Sequence, residues 1–480
     1  MKKKPNILWL TLDHLTYSHY RNNKGAKPIL PTWERICAEG TSFEQCKSVH
    51  PLCLPARASM LTGVYTHKHG MLRNEYGFVP HLAPPTPDLK NAGYRLGYFG
   101  KNHSGYEDLD TYGFEGYFKS PFGNPYGNPF HTQEYKEYLE RKGLKNPIFV
   151  HEWGLHPQFA PGGEYDITEV NYFNHLSCGV FKEAGGYHEA DFLLDMSVDW
   201  VRERVAEDEP FILRMDPWGP HQAYMVPPDF ADTLYDEKEI LPIPGFDRAS
   251  IDDKPAFVQQ YLDGVRSRTG KMDTWDKWQH VLKRTYENYT YVDMRFGLLL
   301  DEIEKLGIAD NTYIIWTADH GDALASQGGM VDKCGDMAEE LMDIPMAIAG
   351  PGIPKGTVIN GYVSNLDVLP TVFDFAGVEM PYKPDGISLK QAAKDGRGRD
   401  VIMCEHYGHH AFRFVQRCVY KDDWKYIVTE KGMPQLYNVA DDPYEQVNLA
   451  NAQPARCREM HELLAKQIET FNDSPLILKY

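Results

Sequence analysis

S-V-H-P-L-C-L-P-A-R-A-S-M-L-T-G, Ser48 to Gly63, is the stretch on which the reading of this chain turns. Pro55 and Arg57 stand two and four residues after Cys53, and small or apolar residues then run to Gly63. That pattern predicts a buried helix beginning at the Cys. Cys53 would then lie at a helix N-terminus, where free backbone N–H groups and the positive dipole end favour an anion. Arg57, one turn on, would face the same side and could pair with an anion or brace a charged nucleophile. Taken alone, a Cys here also reads as packing, because free Cys is among the most buried residue types.

Outward from this stretch, apolar runs end in chemistry-bearing residues. Asn6 to Leu12 is nearly continuous and apolar, and stops at Asp13-His14. Such a run suits a central parallel strand with a ligand at its C-terminal edge. Leu96 to Phe99 is a short strand followed by Lys101 and His103, which alternate and so share one side of an extended segment. Phe211 to Met215 precedes D-P-W-G-P-H, which contains His221, and Thr312 to Thr317 precedes Asp319 and His320. Between them lie helices predicted over Ala190–Val205 and Arg284–Leu306. Alternating strands and helices with the site at strand ends mean an α/β fold. Pro121 to Tyr187 is rich in Gly, Pro and aromatics without long periodicity, and reads as loops and short helices rimming the site. From Val401 the chain turns to short strands in hairpin order, then a final helix.

Composition sets further limits. The chain has 480 residues, 42% of them hydrophobic and 25% charged, ample for a large core and two or more domains. No apolar run approaches the ~20 residues of a membrane helix, so no membrane partner is expected. M-K-K-K imitates the start of a secretory leader, but the run behind it breaks at Asp13. The chain as given is therefore expected in the cytoplasm, or in the periplasm if a leader has been removed. A net charge of −18 argues against nucleic acid and requires positive charge to be concentrated locally if the substrate is anionic. Eight Cys without C-x-x-C spacing read as reduced thiols, and His67 and His69 as loop and surface residues.

C-L-P-A-R followed by A-S-M-L-T-G resembles the sulfatase signature C-x-P-x-R. The companions come in order: the opening P-N-I-L with Asp13, the Asn91–Gly105 block with Lys101 and His103, and the P-H pair at His221. A-D-H-G at Ala318, Lys333, and D-P-Y-E-Q-V-N-L-A near the end follow. The resemblance implies an alkaline-phosphatase-like mixed central sheet sandwiched by helices (1–380). A small C-terminal domain (381–480) with a four-stranded antiparallel sheet and a helix would complete it. It implies hydrolysis of a sulfate ester on a sulfated carbohydrate or aryl sulfate, with Cys53 converted to formylglycine by a maturation enzyme. Cys53, Arg57, Lys101, His103, His221 and Lys333 would be catalytic. Asp13, Asp319, His320 and the modified Cys53 would hold one divalent metal ion. The family's calcium comes first, and manganese, magnesium or zinc are admitted because His14 replaces the family's second Asp. His14 is a further candidate ligand, and that replacement resembles phosphonate monoester hydrolases, the alternative reading. A non-enzymatic binding protein with unmodified Cys53 is the third, which the intact residue set opposes.

Overall fold

The computed structural model describes residues 3–75, 78–106, 108–119, 129–154, 168–170, 177–247, 252–266, 272, 274–333, 335–409 and 412–479. Its strands in chain order are β1 Asn6–Leu12, β2 Gly40–Lys47, β3 Arg95–Lys101, β4 Phe114–Lys119, β5 Phe149–Gly154, β6 Thr168–Val170, β7 Ser177–Phe181 and β8 Phe211–Asp216. They continue as β9 Tyr224–Val226, β10 Thr312–Ala318, β11 Met346–Ala349, β12 Thr357–Ser364, β13 Val401–His406, β14 Gln416–Lys421, β15 Trp424–Thr429 and β16 Gln435–Asn438.

Eight strands make the central sheet, in the order β12-β2-β11-β10-β1-β8-β3-β4. The run β10-β1-β8-β3-β4 is parallel, and β11 is antiparallel to both of its neighbours. The sheet is therefore mixed, as expected. β1 is buried at every position, which explains its unbroken apolar sequence: a central strand has both faces covered. β10 shows the two faces directly. Tyr313 stacks on Phe375 of the Val368–Ala376 helix, while Trp316 meets Trp33 of the Pro31–Glu39 helix. The Trp275–Lys305 helix packs beside the Pro31–Glu39 and Glu189–Ala206 helices, and begins nine residues before the predicted Arg284.

The Cys53–Thr62 helix forms as the sequence predicts, and all ten of its residues are buried. Pro55 sits in its first turn, where a missing N–H costs nothing. Gly63 ends it with φ +69°, the left-handed C-cap that Gly adopts without strain.

The middle of the chain differs from its reading. β5, β6, β7 and the distant β9 form a second four-stranded sheet, in the order β6-β5-β7-β9. Loops and short helices alone were expected between Pro121 and Tyr187; parts of that stretch lie outside the described residues. At the C-terminus β13 to β16 form a four-stranded antiparallel meander, and the Pro454–Phe471 helix packs on it. Among the described residues the cysteines are free, in keeping with reduced thiols. No described helix is long and apolar enough to cross a membrane.

Candidate active site

Four neighbouring parallel strands, β10, β1, β8 and β3, deliver the site from their C-terminal ends. β1 leads into Asp13, β8 ends at Asp216, β3 ends at Lys101, and β10 leads into Asp319 and His320. This is the sheet edge at which α/β folds bind ligands. β3 can lie this close to β8 because Gly100 has no side chain: a Cβ there would be 1.9 Å from the Asp216 carbonyl oxygen.

Arg57 ties these ends together from the opposing helix. Its Nε donates to Asp319 Oδ2 at 2.8 Å, and its Nη1 donates to Asp216 Oδ2 at 2.8 Å and to the Lys101 carbonyl at 3.1 Å. Its Nη2 lies 3.5 Å from Asp13 Oδ2. Arg57 is fully buried, and its Nη2 makes no hydrogen bond. Asp216 Oδ2 also accepts from Tyr98 Oη at 2.9 Å and Arg214 Nε at 2.8 Å. Asp216 was missed in the sequence, although its place at the end of a buried parallel strand is the signal that singled out Asp13.

Cys53 opens its helix, and the N-cap residue Leu52 supplies no side-chain cap. His320 Nε2 lies 3.0 Å from Cys53 Sγ, while His320 Nδ1 is 2.7 Å from the Gly321 carbonyl. The carbonyl fixes a proton on Nδ1 and leaves Nε2 as the nitrogen directed at the sulfur. Asn74 approaches the sulfur at 4.0 Å and accepts from the Leu54 amide at 3.0 Å. Burial raises the pKa of the thiol, but Lys333, Lys101 and His320 outweigh it and hold Cys53 well below the ordinary thiol range. Burial pulls His320 down, and Asp319 and Cys53 overcome that, bringing it up to about 9. Lys101 pairs with Asp13, and with Arg57 it outweighs burial to keep the Asp13 carboxylate below its usual range.

Lys333 comes from a different segment and pairs with Asp332 at 2.6 Å. His14, in the left-handed region at φ +69°, stacks on His221 with ring centroids 4.2 Å apart and meets His320 edge-on at 4.6 Å. The structure thus gathers Asp13, His14, Cys53, Arg57, Lys101, His103, His221, Asp319, His320 and Lys333 around one buried pocket. His67 and His69 stand apart from it. His69 is fully buried and bonds Ser59 at 2.9 Å, so the surface reading fails for it; it packs the Cys53 helix from behind. His67 is half-buried and paired with Glu405.

Three cations, Arg57, Lys101 and Lys333, are gathered here in a chain of net charge −18, and each is paired with one or more of Asp13, Asp216, Asp319 and Asp332.

The Sulfatase family model matches residues 5–378. The chain belongs to the sulfatase family. It is accordingly a hydrolase of sulfuric esters. The C-terminal model for N-sulphoglucosamine sulphohydrolase matches residues 327–474 of this sulfatase. An arylsulfatase of Clostridium perfringens is 25% identical over 97% of this chain and 95% of its own. A choline-sulfatase of Rhizobium meliloti is 25% identical over 93% of this chain and 82% of its own. Among solved structures, a protein in complex with its substrate D-glucosamine-2-N,6-O-disulfate aligns with a TM-score of 0.71 at 22% identity, over 100% of both chains. A phosphonate monoester hydrolase from Silicibacter pomeroyi aligns with a TM-score of 0.76 at 19% identity, over 98% of this chain and 97% of its own. These last two likenesses establish the alkaline-phosphatase-like fold.

Proposed function

We propose that this sulfatase hydrolyses a sulfate monoester of a carbohydrate or aryl alcohol at Cys53, after a maturation enzyme has converted that residue to formylglycine. One observation carries the reading: Cys53 Sγ lies at a helix N-terminus, 3.0 Å from His320 Nε2, where Lys101 and Lys333 favour negative charge.

The residues fit a divalent metal. Asp13, Cys53, Asp319 and His320 offer ligand atoms all within 4.8 Å of one another, and Asp13 Oδ1 is buried without a hydrogen-bond partner. When both groups are in place, formylglycine supplies the nucleophilic oxygen as a hydrated aldehyde, and the metal supplies Lewis-acid charge beside it. Calcium is the family's usual choice. The nitrogen of His320 and the loss of a second Asp at position 14 admit manganese, magnesium or zinc.

The chain's own side chains do the rest. Arg57 holds Asp13, Asp216 and Asp319 in register. Lys101 and Lys333 flank the nucleophilic position and neutralise the free oxygens of the transferred group, whose charge grows in the transition state. His103, bonded to Cys53, and His221 face the same space, and one of them or a Lys protonates the departing alcohol as its bond to sulfur breaks. Water supplies the oxygen that leaves with sulfate.

A phosphonate monoester or phosphodiester hydrolase is the second reading, favoured by His14 in place of the second Asp. It requires room for a second organic substituent where Lys101, His103 and Lys333 crowd the pocket.

Mass spectrometry of the Cys53 peptide, from protein made with a maturation enzyme, should find the aldehyde or its hydrate. Full activity from protein carrying only the thiol would refute the proposal.

A further inference from the structure

We infer that Arg73 and Arg413 form a second anion-binding site at the mouth of the pocket, so that this sulfatase prefers sulfate esters whose alcohol carries a further carboxylate or sulfate group. The inference rests on the reading of Cys53 as the place where the ester is cleaved.

The fold brings these two guanidiniums together from distant parts of the chain. Met71 to Glu75 lies between the Cys53 helix and the Lys101–Gly105 segment. Asn74 accepts from the Leu54 amide at 3.0 Å and approaches Cys53 Sγ at 4.0 Å, and a Cβ on Gly105 would strike the Met71 sulfur. Arg73 and Glu75 therefore flank the residue that reaches the nucleophilic position. Arg413 comes from the connection between β13 and β14. Residues at the start of that connection lie against the segment leading to Cys53: the His406 ring meets His50 edge-on at 5.3 Å, and Tyr407 stacks on His50 at 6.3 Å. Arg413 Nη1 donates to Glu75 Oε1 at 2.6 Å, while Arg73 Nη2 stands 3.7 Å from Glu75 Oε2. Side-chain exposure rises outward, from 5% at Lys101 to 22% at Arg73 and 49% at Arg413.

Charge and hydrogen bonding point to a ligand. Inside the pocket, Arg57, Lys101 and Lys333 stand among four aspartates. At the mouth, two guanidiniums share one carboxylate, which leaves a positive charge there in a chain of net charge −18. Phe78 lies under Arg73, with the guanidinium carbon 5.3 Å from the ring centroid, and holds it in place without neutralising it. Arg73 Nε is buried without a hydrogen-bond partner, and the contact of Nη2 with Glu75 is longer than a hydrogen bond. Burial, and then Arg413, push Arg73 below the ordinary arginine value, with Glu75 opposing. A guanidinium offers five N–H donors in a planar fork that grips an oxyanion through two oxygens at once. An anion bound across the two Arg takes up unused donors and the unbalanced charge.

The test is substrate selectivity of the matured enzyme. kcat/KM is measured for aryl sulfates bearing a meta or para carboxylate, for their uncharged carboxamide counterparts, and for a phenylene disulfate. The wild type should prefer the carboxylate or the disulfate over the carboxamide by about tenfold, the scale of one charge-assisted contact, and the larger preference names the group. That preference should shrink as salt is raised. Arg73→Gln and Arg413→Gln should each bring the ratio down toward unity, and Arg413→Glu should favour the carboxamide. A purely structural role for the two Arg would lower all substrates alike and leave the ratio intact, which would overturn the site. A wild-type ratio near unity with active sulfate turnover would also overturn it and leave the sulfatase reading standing. If the matured protein cleaves only aryl phosphonate esters, the sulfatase reading falls, and the same ratio on carboxylate and carboxamide phosphonates decides this site. Cleavage of neither ester overturns both. Circular dichroism checks the fold, and the half-exposed Arg413 carries the test if Arg73→Gln does not fold.

Discussion

Residues 332–343 pass through two buried polar clusters, and the clusters are built differently. The first is the Cys53 pocket, which this segment enters with Asp332 and Lys333. The second is the seam beneath the C-terminal sheet, entered with Asp336 and Glu339. In the seam both carboxylate oxygens of Glu339 and of Asp336 are used. Glu339 Oε1 accepts from Lys47, and its Oε2 from Tyr420 at 3.0 Å and Lys425 at 3.3 Å. Asp336 accepts from Lys254, Gln416 and the Met337 amide, each at 2.9 Å. In the pocket, Asp13 Oδ1, Asp216 Oδ1 and both nitrogens of His14 are buried without a hydrogen-bond partner. Buried polar groups that serve structure are satisfied, because an orphan in low dielectric costs free energy. Orphans gathered at one strand edge mark the place where something else is to be bound. The seam, in turn, holds the loop that carries Lys333.

The comparison breaks most sharply at Cys53. Cys53→Ala should lower kcat by at least ~10^4-fold, the scale of losing a nucleophile, while the thermal midpoint stays within a few degrees because little volume is removed. A variant retaining more than a few per cent of activity would move the chemistry elsewhere. Lys101→Ala comes next. It should lower kcat for a sulfate ester by about 10^2–10^3-fold, as removing one preorganised donor does, and steady-state kinetics would read it. A change confined to KM would make Lys101 a binding residue only.

Much of the pocket was legible in the sequence. Asp13, Asp319 and His320 stand at the ends of β-branched or apolar runs, and the Cys53 helix is announced by its Pro and bounded by Gly63. What was not legible depends on pairing between distant segments. The second sheet pairs β7 with β5 antiparallel and with β9 in parallel, the latter across some forty residues of chain, and its strands are short, so no period marks them. Asp322 and Asp332 read as ordinary loop acids until folding sets them on either side of His14. Arg57 could be placed beside Cys53, but not the three carboxylates that cage it. The polar seam was invisible, since its lysines and glutamates lie on strands and loops whose charges look solvated in sequence.

The seam predicts large effects on stability and small ones on turnover. Glu339→Gln removes a buried charge shared by Lys47 and Lys425, and should destabilise the protein by about 3–5 kcal/mol, read by denaturant unfolding. Turnover at low temperature should fall less than about tenfold, well below the Lys101→Ala loss. A greater loss would mean that the seam takes part in catalysis rather than anchoring Lys333. The smallest effect is in pH. Burial raises Glu339, but Lys47 and Lys425 prevail and hold it down to about 2, below its ordinary value of 4.5. A folded-state value below the unfolded one adds stability that is complete above about pH 4.5 and disappears as pH falls toward 2. The stability gap between wild type and Glu339→Gln should therefore narrow over that window. A gap independent of pH would assign the stabilisation to packing.

The central claim is that the pocket is built for three free oxygens on sulfur. Its most direct test compares kcat/KM of the matured protein for an aryl sulfate and an aryl phosphonate monoester with the same leaving group. Both carry one negative charge, but the phosphonate bears an organic group where Lys101, His103 and Lys333 stand. The account predicts the higher kcat/KM for the sulfate; a higher value for the phosphonate would contradict it.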